Sequence, residues 1–156
     1  LANVVHPTKI EKFSSPEIRN ELVLNLHLVF INYYGQINNS PGISTSFYFI
    51  SDYFKPKTLS AEDDVDLALF FNKWSMYHLT IDYLTSKFKQ DRINEDGVFI
   101  LGTTMNRLQN KSNVYLDVHK KAVAINKNRW CKWLDNDFQI MRNTDIKQLY
   151  CESCNH

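Results

Sequence analysis

The chain has little glycine or proline, four of each in 156 residues. So few interruptions exclude a disordered or low-complexity segment. An excess of one charge is also missing: 18 basic residues against 17 acidic ones leave a net charge of +1. No basic stripe appears, which removes direct electrostatic capture of nucleic acid as a leading function. Nor is there a run of about 18 apolar residues, the length a membrane span requires. The most apolar stretch, residues 22–31, contains Asn25 and His27 and fits a buried helix. Three cysteines are too few for a disulfide framework in a domain of this size and point to a reducing compartment. The chain opens on Leu1 with no basic, apolar leader, as expected of a domain cut from a longer protein. What it does have is aromatic side chains, ten Phe, eight Tyr and three Trp, enough for one substantial core.

Taken in order, residues 1–12 show no period, and His6-Pro7 favours an extended lead-in. Ser14-Ser15-Pro16-Glu17 predicts a helix start, with a Ser cap, a first-turn Pro and an acid near the positive helix end. The apolar positions Leu22, Leu24, Leu26, Val29, Phe30 and Tyr33 continue that helix, and Gly35 to Gly42 form a loop. Residues 44–53, dense in Phe, Tyr, Ile and Ser, predict a strand, with a short helix as the alternative. Ser60-Ala61-Glu62-Asp63 opens a second helix that carries Val65, Leu69 and Trp74. Residues 79–86 alternate and predict another strand. Residues 97–141 predict a meander of three long strands, broken at residues 110–113 and again at 126–128. The expected class is therefore α+β: a curved antiparallel sheet wrapped around two or three helices, with an outer face too apolar for water.

Three stretches carry a family likeness. The first helix has Leu22-Val23-Leu24 leading to Tyr33-Tyr34, and a second helix ends in Leu69-Phe70-Phe71-Asn72-Lys73-Trp74. The closing run is Trp133-Leu134-Asp135-Asn136-Asp137-Phe138 followed by Arg142-Asn143. In order and spacing, residues 13–143 resemble the cone-shaped nuclear transport factor two-like domain of the nuclear RNA export factors, the TAP family. The segment between Ser44 and Ser60 is shorter than in that family, which fits a diverged paralogue. The resemblance implies a lead-in over 1–12, a domain over 13–143, and a tail or linker over 144–156. It implies a nuclear, non-catalytic interaction domain without cofactor or metal, acting in RNA export or RNA-linked silencing. Its partner would be a small nuclear transport factor two-related export subunit, bound through the sheet. Phenylalanine-glycine nucleoporins would be further partners, RNA would be reached only indirectly, and no membrane is involved. The residues expected at or beneath the sheet contact are Phe99, Tyr115, Asp117, Trp130, Trp133 and Phe138.

Other readings use some of the same residues. A cone-fold isomerase or dehydratase would use Tyr33 with Asp117 or His119, since burial raises a carboxylate pKa and a phenol can donate to an enolate oxygen. Lys120 and Lys121 beside them suggest an exposed rim instead. A secretion-apparatus assembly domain of the same cone shape is a third class. Cys131, Cys151, Cys154 and His156 could hold zinc, although a frayed tail is the favoured reading of residues 144–156. Trp130, Trp133 and Phe138 could stack RNA bases, and protein contact is ranked above that use. His27 reads as a core histidine, and Glu62-Asp63-Asp64 as a helix start.

Overall fold

The computed structural model describes residues 16–109, 112–137 and 139–154. These form seven α-helices: α1 Pro16–Gln36, α2 Ser40–Phe54, α3 Ala61–Lys73, α4 Tyr77–Lys89, α5 Glu95–Arg107, α6 Tyr115–Asp135 and α7 Thr144–Ser153. A 3-10 turn, Ile140–Arg142, precedes α7. The chain divides into two compact units, Leu1–Lys57 and Thr58–His156.

In the first unit α1 packs on α2. Val23, His27 and Ile31 recur every fourth residue on α1 and are buried, the spacing of one helix face. The His27 ring stacks on Phe49 at 4.4 Å between centroids, which agrees with its expected core role. Asn39 caps α2 by accepting from the Gly42 N–H at 3.0 Å. Gly42 is required there because a Cβ would come within 2.6 Å of the Tyr34 ring.

In the second unit α3, α4 and α5 pack on one another, α6 packs on α5, and α7 packs on α6. Phe71 and Ala68 from α3, Leu84 from α4, Val98, Leu101 and Met105 from α5, Val118 from α6 and Ile146 from α7 are all buried. Ser60 caps α3 through the Asp63 N–H at 3.1 Å, as its spacing predicts. Asn94 caps α5 through the Gly97 N–H at 2.9 Å, and Asn143 caps α7 through Asp145 and Ile146. Within α6, Asn126 leaves helical geometry, with φ −151° and ψ 84°. Its side chain restarts the helix by accepting from the Arg129 N–H at 3.0 Å, so the expected break at 126–128 is a kink rather than a strand end.

The α+β cone is therefore corrected to an all-helical architecture: the described residues form no strand. The strand expected at 44–53 lies in α2, that at 79–86 in α4, and those of the 97–141 meander in α5, α6 and the 3-10 turn. The reason is physical. In α4, Leu79, Thr80, Ile81, Tyr83, Leu84 and Lys87 are all buried. A helix enclosed on most sides shows no clean 3.6-residue period, and a two-residue alternation can be picked out of it. In α6 the buried set Tyr115, Val118, His119 and Ala122 is plainly helical, but valine and alanine at neighbouring positions obscure it. Residues 144–153 are a helix rather than a frayed tail, and Cys154 behind it is disulfide-bonded to Cys131.

Candidate functional site

In the second unit, the ends of α3 and α5 meet the starts of α4 and α6 and the turn before α7 around a cleft of about 870 Å³. Asn72 and Lys73 come from α3, Tyr77 from α4, Thr104, Asn106 and Arg107 from α5, and Tyr115 and Trp133 from α6. Asp137, Gln139, Arg142 and Asn143 close the far edge. Lys73 and Arg107 stand in the last turns of their helices, where the negative end of the helix dipole favours a cation.

Three cations, Lys73, Arg107 and Arg142, thus share the cleft with one carboxylate, Asp137. Among the described residues none of the three forms a salt bridge. The Arg107 guanidinium lies over the Tyr77 ring at 4.5 Å, an orientation that fixes the side chain and leaves its N–H edges for other partners. Helices α4 and α6 both begin at the cleft without a side-chain cap. By contrast α2, α3, α5 and α7 are each capped. An uncapped start keeps part of its positive charge, although the Leu79 N–H already donates to the Met76 carbonyl and the Tyr115 N–H to the Ser112 carbonyl.

The wall beneath is a chain of polar side chains. The Thr80 hydroxyl donates to Asn72 Oδ1 at 2.7 Å, Asn72 Nδ2 donates to Thr104 Oγ1 at 3.2 Å, and Thr104 donates to the Ile100 carbonyl at 2.7 Å. The Tyr115 hydroxyl donates to Asn106 Oδ1. Burial, reinforced by the Asp137 charge, pushes that phenol up to about 12, so it stays a donor at neutral pH. Asn106 Nδ2 has no hydrogen-bond partner among the described residues.

Behind this wall lies an aromatic cluster centred on His119. Its Nδ1 accepts from Trp130 Nε1 at 3.0 Å, which places the proton of the neutral ring on Nε2. Trp133 stacks on the imidazole at 5.3 Å between centroids, and Tyr115 meets it edge-on at 4.8 Å. Phe99 packs against Trp133 at 5.9 Å. On its other side Trp133 borders a smaller cavity of about 260 Å³, lined by Phe99, Ile100, Thr103 and Arg129. Trp133 rests close on Gly102, where a Cβ would approach its indole to 3.1 Å.

Of the residues expected at a sheet contact, Phe99, Tyr115, Trp130 and Trp133 converge on this cluster, on helices rather than strands. Trp130 is wholly buried and is core, whereas Trp133 and Tyr115 reach the cleft. Asp117 is exposed on α6 and does not line the cleft. Phe138 lies outside the described residues, as does His156. For the catalytic alternative, Tyr33 is exposed on α1 of the first unit, and His119 is buried with its Nδ1 engaged. The sheet that was to face Tyr33 is absent from the described residues. Zinc binding by Cys131 and Cys154 is overturned because the two sulfurs bond to each other. No group of three or more His, Cys, Asp or Glu suited to a metal occurs among the described residues. No described helix is long and apolar enough to cross a membrane.

The sequence reading missed Lys73, Tyr77, Arg107 and Arg142 as a set, because they come from four separate elements. A basic residue just before a turn, as at Lys73 and Arg107, was the only local sign. Comparison with family models, curated proteins and solved structures finds no match.

Proposed function

We propose that this chain is a non-catalytic protein-interaction domain whose cleft binds an acidic segment of a partner protein. The observation that carries this is the set of three cations without salt bridges, Lys73, Arg107 and Arg142, facing one cleft. The starts of α4 and α6, which lack side-chain caps, place two positive helix ends beside the cleft, opposite the negative ends of α3 and α5 that Lys73 and Arg107 offset. Amide side chains at Asn72, Asn106, Gln109 and Asn143 line the same space. Asn72 is held at both ends by Thr80 and Thr104, and the Asn106 and Asn143 oxygens already accept from Tyr115 and the α7 start, so the amide of Gln109 and the Asn106 Nδ2 donor are the groups left to meet a peptide. A volume of this size accommodates a few peptide residues. Docking through a sheet to a small export subunit forms no part of this reading, since the described residues supply no sheet.

The test is fluorescence anisotropy of the full chain with pools of labelled nine-residue acidic peptides. Each of Lys73→Glu, Arg107→Glu and Arg142→Glu is expected to weaken binding by about tenfold, since like charges facing each other at an interface cost on the order of 1 kcal/mol or more. Raising salt should weaken binding by the wild-type chain and have less effect on the variants. Unchanged affinity in all three variants would refute the assignment.

A further inference from the structure

We infer that the acidic segment carries an apolar side chain, Phe or Leu, which seats in the smaller cavity beside the cleft. This rests on the acidic-segment reading above and adds to it a second determinant. The two cavities share Thr103 and Trp133, so they adjoin across the Trp133 side chain, with a change of chemistry from one to the other. On one side stand cations without salt bridges. On the other stand Phe99, Ile100 and the indole face, with a single cation, Arg129.

That cation is already satisfied. Arg129 bonds Glu95 at 3.1 Å and Asp96 at 2.8 Å while its guanidinium lies 4.2 Å from the Phe99 ring centre. It therefore closes the wall with its stem and flat face and offers little charge to a ligand. The depression has a volume of about 260 Å³ and is open to solvent on one side. An apolar side chain laid in it covers Phe99, Ile100 and the indole, whereas a polar one finds few partners there, so the depression favours the apolar one. Because the cavities adjoin, the anchor and the nearest acid lie a few residues apart in an extended segment, at about 3.3–3.6 Å per residue. The sharing of Trp133 also makes its fluorescence a reporter of both halves.

The experiment compares two peptide pools on the full chain by anisotropy and tryptophan fluorescence. Both pools carry two glutamates; one has Phe or Leu one to four residues away, and the other has Ser at those positions. The apolar pool is expected to bind about tenfold tighter, the scale on which small changes of apolar fit are discriminated. Ile100→Gln should remove that preference while leaving the serine pool within about twofold of its wild-type affinity. Ile100→Asn, which adds no charge beside the cleft and is checked for retained helix by circular dichroism, should do the same. Equal binding of the two pools by the wild-type chain, or an equal loss of both in the Ile100 variants, overturns the apolar anchor and leaves the acidic reading standing. Failure of both glutamate pools to bind overturns the two together.

Discussion

The Lys87 ammonium is almost wholly buried, 3.7 Å from the buried Asp64 carboxylate, which also accepts from the Tyr83 hydroxyl. Burial pushes the Asp64 carboxyl up, against the opposing pull of Tyr83 and Lys87, and it pushes Lys87 down against the pull of Asp64. Such a pair stabilises little in itself, yet loss of one member removes the charge that offsets the other's burial. Asp64→Asn is expected to cost about 3–5 kcal/mol in urea unfolding, and Asp64→Leu combined with Lys87→Met less than that. His119 sets a pH dependence. Burial holds its imidazole down at about 4, against about 6.5 in an unfolded chain. Above pH 6.5 neither state is protonated and the residue contributes no slope. As pH falls through 6.5 the unfolded chain gains a proton that the folded chain refuses until about 4, so stability drops across that window and then levels. The loss between pH 7 and 4.5 is about 2 kcal/mol. His27, also shifted down by burial, adds to it. His119→Gln should remove the larger part of this decline when unfolding is measured at the two pH values.

Among the helices, the sign most legible in the sequence was the cap, where it was heeded. Ser60 with Asp63 predicts the start of α3, and the observed bond is the expected one. Asn94 followed by Glu95 and Asp96 is an equally good signal for α5, although a glycine three residues after an asparagine is also common in turns. Asn39-Ser40-Pro41 and Asn143-Thr144-Asp145 carry the same information for α2 and α7. Composition misled where caps would have decided, because β-branched and aromatic residues at buried helix positions mimic strand preference. The disulfide was not legible: which of three cysteines pair depends on where α7 lies along α6. That bond closes a loop with a sequence separation of 23 residues. Joint replacement of Cys131 and Cys154 by Ser is expected to lower stability by about 3 kcal/mol, read by urea unfolding of the variant.

At the level of the whole chain, four of the aromatic residues named for partner contact, Phe99, Tyr115, Trp130 and Trp133, gather around His119, through helix spacing rather than along strands. The cations that complete the cleft could not be foreseen, since charge at a helix end becomes a site only when several ends converge. Leu22, Val29 and Tyr33 of α1, in the first unit, are exposed, which corrects the expectation of a helix buried on most sides. The Cys131–Cys154 bond has a consequence for the second unit. Asp137, Gln139, Arg142 and Asn143, the far edge of the cleft, all fall inside the loop it closes. Tyr150 adds a ring contact to Trp130 and a hydrogen bond to Asp135 across the same two helices. The crosslink therefore acts as a clasp on one jaw of the cleft. Opening it with a thiol reductant should leave Lys73 and Arg107 in place while loosening Arg142, so peptide affinity should fall several-fold before any helix is lost.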